Sequence, residues 1–282
     1  GASDIGTGTK TWAAMIVAEE LGVPLEQIQI EHADTATTQY ATPSGGSKTV
    51  PSDSPAVRAA AVAVKRQLLT MAAAQLEVPE TELVLGEGEI AHRVDPAKKV
   101  ALPALEKLER QGVVVGTGYR DPNPENTMTW PFAAQFAEVE VDTRTGEVRL
   151  LRVLAAHDSG RVLNRLTFDN QVFGGIAMGI GLGMTEERVL DRRTGKMMNP
   201  NFQAYKVPTM LDVTPDESCV PIDRPDHAFN TTGAKGLGEP ATIPTAAAIA
   251  NAVAHATGVR VTDTPLNPTQ LAALLAAVDR EA

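Results

Sequence analysis

The sequence predicts an α+β fold rather than a parallel α/β sheet, and three patterns carry that expectation. Apolar and polar residues alternate on both sides of a turn in QFAEVEVDTRTGEVRLLRV, which reads as an antiparallel hairpin. Stretches with helical spacing or high alanine content lie before and after it. Helices and hairpins interleave without the strand–helix–strand rhythm of a parallel sheet, and no short-period repeat is visible. With 282 residues, 43% of them hydrophobic, the chain can bury a proper core. The expected organisation is a single domain, 1–282, built from two similar-sized α+β subdomains, 1–128 and 129–282.

Taken in order, Trp12, Met15, Ile16 and Leu21 fall close to helical spacing, and Gly22 ends the run. Residues 28–31, IQIE, alternate as a short strand, and a loop rich in Gly, Ser and Thr follows. Residues 55–76 read as an alanine-rich helix, 82–93 as two short strands around the glycines at 86 and 88, and 102–111 as an amphipathic helix. The proline-rich DPNPENTMTWPF is a connector. In the hairpin that follows it, the turn falls at 143–146. Residues 170–184 form a glycine-rich helix candidate, and ERVLDRRTGKMM a second hairpin. PTAAAIANAVAHATG reads as a helix closed by Gly258. The last helix has Asn267 as cap, Pro268 in its first turn, Gln270 at its third position, and Leu271, Leu274, Leu275 and Val278 as the buried stripe.

Charge and composition exclude several classes. A formal net charge of −10, with no basic run, argues against a nucleic-acid partner, whose backbone is held by Lys and Arg. No apolar stretch approaches a membrane span, so a cytoplasmic chain without a membrane partner is expected. The single cysteine, Cys219, cannot hold an iron–sulfur cluster. His32, His92, His157, His227 and His255 show no ligand spacing, so no metal held directly by protein side chains is expected. No G-x-S-x-G elbow supports a serine hydrolase. The chain opens inside a loop motif without an initiator Met, so an upstream segment is expected.

Four segments carry candidate chemistry. The opening GTGTKT stands one residue from a phosphate-binding P-loop, but Thr9 separates Gly8 from Lys10. That insertion turns Lys10 by about 100° around the following helix. Two readings stay open for Gly6, Thr7, Gly8 and Thr9: backbone amides that hold an anion at a helix start, or a plain glycine-rich helix start. Gly45, Gly46, Ser47, Lys48 and Thr49 combine small residues, hydroxyl donors and a cation, and read as a ligand cradle or a flexible surface loop. In NTTGAKGLGEP, Gly233, Gly236 and Gly238 bracket Lys235 and allow close backbone approach to a ligand. Glu239, next in line, is either a carboxylate partnering a helix start or a positioned general base. Gln171 precedes Gly174, Gly175, Gly179, Gly181 and Gly183 on one helix candidate, where each interior glycine costs about 1 kcal/mol relative to alanine. So many glycines need close packing or a ligand to explain them. Gln171 itself is an amide for a polar ring or a capping amide.

Together these segments resemble the second molybdenum-binding half of the large subunit in the xanthine dehydrogenase/aldehyde oxidase family. SDIGTGTKTWAAMIVAEELGVP, SGGSKT, AEVEVDTRTGEV, HDSGRVLN, FDNQVFGGIAMGIG and NTTGAKGLGEPATIPTAAAIANAV occur in the family's order, and GAKGLGEP is the most specific of them. The resemblance implies that Gly6, Thr7, Gly8 and Thr9 lie against a pterin, although many relatives carry Gln where Thr7 stands. It implies that Gly45, Gly46, Ser47, Lys48 and Thr49 cradle the pterin and its phosphate, and that Gln171 binds the pterin or its dinucleotide tail. Asn170 stands where the family usually has glycine. Gly236 and Gly238 belong to the signature loop, and Glu239 matches the glutamate beside the molybdenum.

The implied cofactor is molybdopterin carrying molybdenum, with a cytosine dinucleotide form common among bacterial relatives. The implied activity is oxidation of an electron-poor sp² carbon, of a purine-like N-heterocycle or an aldehyde, with oxygen derived from water and Glu239 as general base. Electrons would leave through the pterin to 2Fe–2S and FAD centres on an iron–sulfur subunit and an FAD subunit. The other partner is the upstream molybdenum-binding half. The competing expectation is a non-catalytic cofactor-binding or assembly module, inactive alone.

Overall fold

A computed structural model describes residues 1–281, which form two compact units. The first comprises Gly1–Thr129 with the segments Arg161–Asn164 and Pro225–Lys235; the second comprises Trp130–Gly160, Arg165–Arg224 and the chain from Gly236 onward.

In the first unit, α1 spans Thr9–Leu21 and α2 spans Thr49–Leu76. The helical spacing in α1 buries Trp12, Ala13 and Ile16, against which Val50, Val57, Ile30 and Leu163 pack. Gly22, at φ 61°, closes the helix, its N–H donating to Ala18. Helix α2 begins before the expected start at residue 55 and carries Pro55 inside it. Pro51 sits within the first turn, where no N–H partner is needed, so only Pro55 removes a ladder hydrogen bond. The expected strand at 28–31 does not form. Its residues are extended around Ile28, but no neighbouring segment pairs with them, and Ile30 instead packs on the Trp12 cluster.

Strands β1 (Leu83–Gly86), β2 (Glu89–His92) and β3 (Lys99–Ala101) make an antiparallel sheet in sequence order. The third strand was not expected. Leu83, Leu85, Ile90 and Val100 face α2 and share a core with Leu68, Met71 and Ala72. The expected helix at 102–111 divides at Leu105, which is fully buried in an extended conformation. Only Glu106–Gln111, α3, is α-helical. Gln75 spans the break, donating to the Ala104 carbonyl at 3.1 Å and accepting from the Glu106 N–H at 3.1 Å.

In the second unit, β4 (Phe132–Val141) and β5 (Val148–Asp158) form the expected hairpin, with a bulge at Glu138/Val139. Asp142 accepts from the Arg144 and Thr145 N–H groups, and Gly146 closes the turn at φ 74°. An unexpected strand, β6 (Glu217–Pro221), pairs parallel to β5. Helix α4 (Arg165–Ile180) starts earlier than expected, supported by the Arg165–Asp169 pair at 2.8 Å, and passes into one wide turn at Gly181–Thr185. The second hairpin reduces to a single bridge, Leu190 to Met197. Asn199 Oδ1 accepts the Val189 N–H that a longer ladder would need.

Helix α5 (Thr245–Thr257) packs against β4 and ends at Gly258. Helix α6 (Pro268–Glu281) is capped by Asn267, whose Oδ1 accepts from the Thr269 N–H at 2.9 Å. Its buried stripe is narrower than expected: Leu271 and Leu275 are buried, whereas Leu274 and Val278 are exposed. Among the described residues no helix is long and apolar enough to cross a membrane.

Candidate functional site

The opening loop satisfies its own amides. Asp4 Oδ1 accepts from the N–H groups of Gly6, Thr7 and Gly8 at 2.9, 3.0 and 3.2 Å, and Oδ2 accepts from Thr9 at 2.8 Å. Burial pushes the Asp4 carboxyl up, but these four donors outweigh it and hold it below its ordinary range. The anion at the start of α1 is therefore the protein's own aspartate, so these amides do not wait for an outside phosphate. Nothing lies within 4 Å of where a Gly6 Cβ would stand, and that backbone face is open.

The sign of this interaction is testable. A carboxylate with a lowered folded pKa stabilises above its unfolded value and loses that contribution as pH falls through the folded one. Because Asp4 is exposed, Asp4→Ala should cost only about 0.5–1 kcal/mol near neutral pH. The gap to wild type should close as denaturant unfolding is repeated down to about pH 2. A gap that stays constant over that range would show that ionised Asp4 does not cap α1.

The second loop is tied to the first. Ser44 Oγ lies 3.0 Å from Ser3 Oγ and accepts from Thr49 Oγ1 at 3.1 Å. Gly46 and Ser47 both take left-handed backbone, at φ 65° and 54°, which reverses the chain into the first turn of α2. Nothing lies within 4 Å of a Cβ built on Gly45 or Gly46. Ser3 and Ser44 thus link the loop of Gly6, Thr7, Gly8 and Thr9 to that of Gly45, Gly46, Ser47, Lys48 and Thr49, with Lys48 at the N-cap of α2. Thr9 Oγ1 donates to the Ser3 carbonyl at 3.2 Å, and Thr49 Oγ1 to Ser44 Oγ.

The loop leading to Lys235 is held by a residue that the motif reading passed over. Asn230 Oδ1 accepts from Thr232 N–H, Thr232 Oγ1 and Gly233 N–H at 3.0, 2.8 and 2.8 Å, and Asn230 Nδ2 donates to the Ala234 carbonyl at 2.7 Å. Thr232 Oγ1 also meets Ser54 Oγ, 2.7 Å away, both side chains being fully buried. One amide thereby fixes the first half of the GAKG segment, a use of asparagine that its place at the start of NTTG announces.

The remaining candidates lie in the second unit. Glu239 opens a single 3₁₀ turn, Glu239–Ala241, and is exposed; Gln171 lies half-buried on α4. The glycines of α4 explain how the two segments meet. A Cβ on Gly175 would stand 2.5 Å from the Ala241 side chain, and one on Gly179 would collide with Thr245. Close packing of α4 against this turn and the start of α5 is thus the reason for those two glycines. Gly174 faces open space and has no such reason.

Gln135, on the inward face of β4, holds the same turn from the opposite side. Its Nε2 donates to the Ala241 carbonyl at 2.8 Å and lies 3.3 Å from His157 Nε2, while its Oε1 accepts from Thr245 Oγ1 at 2.6 Å. Burial pushes the His157 imidazole down toward its neutral form, which suits Nε2 as an acceptor. The only sign of Gln135 in the sequence is a polar residue on the inward side of an otherwise apolar alternation, FAAQFAEV. Cys219 is chemically quiet: burial, with a hydrogen bond to Asp169, pushes its thiol up to about 12.

Among the described residues no three His, Cys, Asp or Glu side chains gather to hold a metal ion. The donors on the first unit's loops (hydroxyls, one ammonium, open glycine backbone) suit an organic anion with a flat ring, so the residues present fit a phosphorylated heterocycle.

Comparison with known proteins agrees with this chemistry. Residues 1–214 match the family model described as a molybdopterin cofactor-binding domain. The xanthine dehydrogenase molybdenum-binding subunit of Escherichia coli O157:H7 is 37% identical over 280 residues, which are 96% of this chain and 36% of the relative. The aldehyde oxidoreductase molybdenum-binding subunit PaoC of the same organism is 34% identical over 265 residues, 94% of this chain and 35% of the relative. The reconstituted CO dehydrogenase from Oligotropha carboxidovorans superposes with a TM-score of 0.87 at 25% identity, covering 100% of this chain and 35% of that one. The chain spans little more than a third of the length of the relatives it matches.

Proposed function

Because this chain belongs to the molybdopterin cofactor-binding domain family, within the xanthine dehydrogenase and aldehyde oxidoreductase group, we propose that it is the part of a molybdenum hydroxylase that supplies the general base. The observation that carries this reading is the 37% identity over 280 residues to a xanthine dehydrogenase molybdenum-binding subunit, an alignment that takes in Glu239, combined with loops whose donors fit a phosphorylated heterocycle.

In the first unit, Ser47, Lys48 and Thr49 would hold the pterin's phosphate, by hydroxyl and ammonium donation, and Gly45 and Gly46 would admit its ring edge. Gly6, Thr7, Gly8 and Thr9 would lie against the ring through their open face, since their amides serve Asp4. In the second unit, Gln171 would donate its amide to the pterin or a cytosine dinucleotide tail. Gly236 and Gly238 would bring the backbone close to the cofactor ahead of Glu239. When bound, the molybdenum cofactor supplies the redox chemistry by which oxygen from water is added to an electron-poor sp² carbon. Glu239 would take the proton from the attacking oxygen onto its carboxylate, which must be ionised beforehand.

The substrate class proposed is an N-heterocycle or an aldehyde, matching the names of the relatives above. The proposed partners are the upstream molybdenum-binding half, an iron–sulfur subunit with 2Fe–2S centres and an FAD subunit, all in the cytoplasm. The deciding experiment is elemental analysis of the native complex from cells supplied with molybdate. Close to one molybdenum per chain is expected. Clean absence would sink the enzymatic reading and leave a non-catalytic assembly module.

A further inference from the structure

We propose that Gln135 is a positioning residue for catalysis, holding the Glu239 turn against the sheet so that the carboxylate keeps one direction. The inference rests on the reading of Glu239 as general base.

Three observations support it. First, Ala241, two residues after Glu239, is fully buried and pressed on one side by the bare backbone of Gly175. Second, the carbonyl of the same residue accepts from Gln135 Nε2 at 2.8 Å, so the turn is gripped from two directions. Third, the Gln135 amide cannot turn over without loss. In the observed orientation Nε2 donates to the Ala241 carbonyl at 2.8 Å and lies 3.3 Å from His157 Nε2, while Oε1 accepts from the Thr245 hydroxyl at 2.6 Å. A flip would set oxygen against the Ala241 carbonyl. Thr245, the first residue of α5, is itself fully buried, so the same amide ties both ends of the 241–245 segment to β4.

Glu239 is exposed and sits on a turn of three residues held by two backbone bonds, Thr242 N–H to the Glu239 carbonyl at 3.0 Å and Ala241 N–H to the Leu237 carbonyl at 3.2 Å. Pro240 stiffens the turn's backbone, but so short an element still takes its position from what packs against it. Its direction therefore depends on what holds Ala241, and the side-chain part of that hold is Gln135, beside the backbone bond from Ala241 N–H to the Leu237 carbonyl. Gln135 touches neither a substrate nor a cofactor in this role; it acts through Ala241.

The test uses the assembled holoenzyme carrying Gln135→Met, Glu239→Gln or both. Gln135→Glu is the second variant, keeping the side chain's size and the acceptor to Thr245. Turnover is followed with xanthine and benzaldehyde as probe substrates, and hydrogen exchange is read by mass spectrometry over residues 236–247. Gln135→Met should lower kcat by about 10- to 100-fold with KM nearly unchanged, as misplacement of a catalytic group does. The same substitution should cost little further when Glu239→Gln is present, because two residues acting through one function are not additive. Exchange at 239–245 should quicken in Gln135→Met while peptides from α1 and α2 keep their rates.

An equal loss in both backgrounds, or unchanged exchange at the turn, would overturn the proposal. Full activity in Glu239→Gln would instead strike the base reading. The exchange data would then decide by themselves whether Gln135 holds the turn. If Gln135→Met fails to assemble, Gln135→Glu is judged by the same two readouts.

Discussion

Glu239→Gln in the assembled enzyme should lower turnover by about 10²- to 10⁴-fold with molybdenum per chain unchanged, the range in which positioned acids and bases contribute. The substitution keeps size and shape and removes the negative charge with which the carboxylate would accept a proton. It should also leave the fold intact. The side chain is exposed, and the turn it opens is closed through its backbone carbonyl, which accepts from Thr242 N–H at 3.0 Å. The clamp on Ala241 from Gly175 and Gln135 does not involve the carboxylate. Steady-state kinetics with xanthine and benzaldehyde, alongside elemental analysis, separate the outcomes. Turnover within twofold of wild type at full metal loading would remove Glu239 from the reaction and return it to the role of a carboxylate at a helix start.

Replacing a glycine of α4 should have the largest effect on stability. Gly175→Ala places a methyl 2.5 Å from the Ala241 side chain and 2.7 Å from its backbone carbonyl carbon, and neither neighbour is the free end of a flexible side chain. The helix or the turn must shift, and overpacking of this kind costs about 1–3 kcal/mol. Because the displaced element carries Glu239, activity per folded molecule should fall as well. Gly174→Ala, one residue away and facing open space, is the control: relief of helix-interior glycine should raise stability by about 0.5–1 kcal/mol. Thermal unfolding of the two variants should therefore move in opposite directions. A stable, active Gly175→Ala would mean that the close approach of α4 to Ala241 is not needed.

The comparison of the two glycines shows what kind of information was legible in the chain. That α4 holds too many glycines for a helix interior could be read from composition and propensity alone. Which of them serve packing could not, because Gly174 and Gly175 differ only in the side of the helix they occupy relative to Ala241. The GTGT loop teaches the same lesson. Glycines before a helix announce exposed N–H groups, but the carboxylate that takes them, Asp4, lies inside the same short stretch and belongs to no motif that marks it. Gln135 had almost no signal, since its three partners come from segments up to 110 residues distant.

Elements whose patterns are local follow from short stretches of the chain alone. These are the β4–β5 hairpin with its Asp142–Gly146 turn, the capped ends of α1, α5 and α6, and the glycine-bearing loops in family order. Alternation, helical spacing and capping act over a few residues, so short-range sterics and hydrogen bonding settle them. The tertiary structure decided the rest: the break at Leu105, the parallel pairing of β6, the failure of residues 28–31 to become a strand, and the clamp around Ala241. Each of these depends on what a distant segment places opposite the backbone, whether a strand to pair with, a core to bury a leucine, or an amide to receive a carbonyl. A chain encodes such choices only through the cost of leaving buried polar groups unpaired and apolar surface in water, and that cost is defined only once the whole unit has closed.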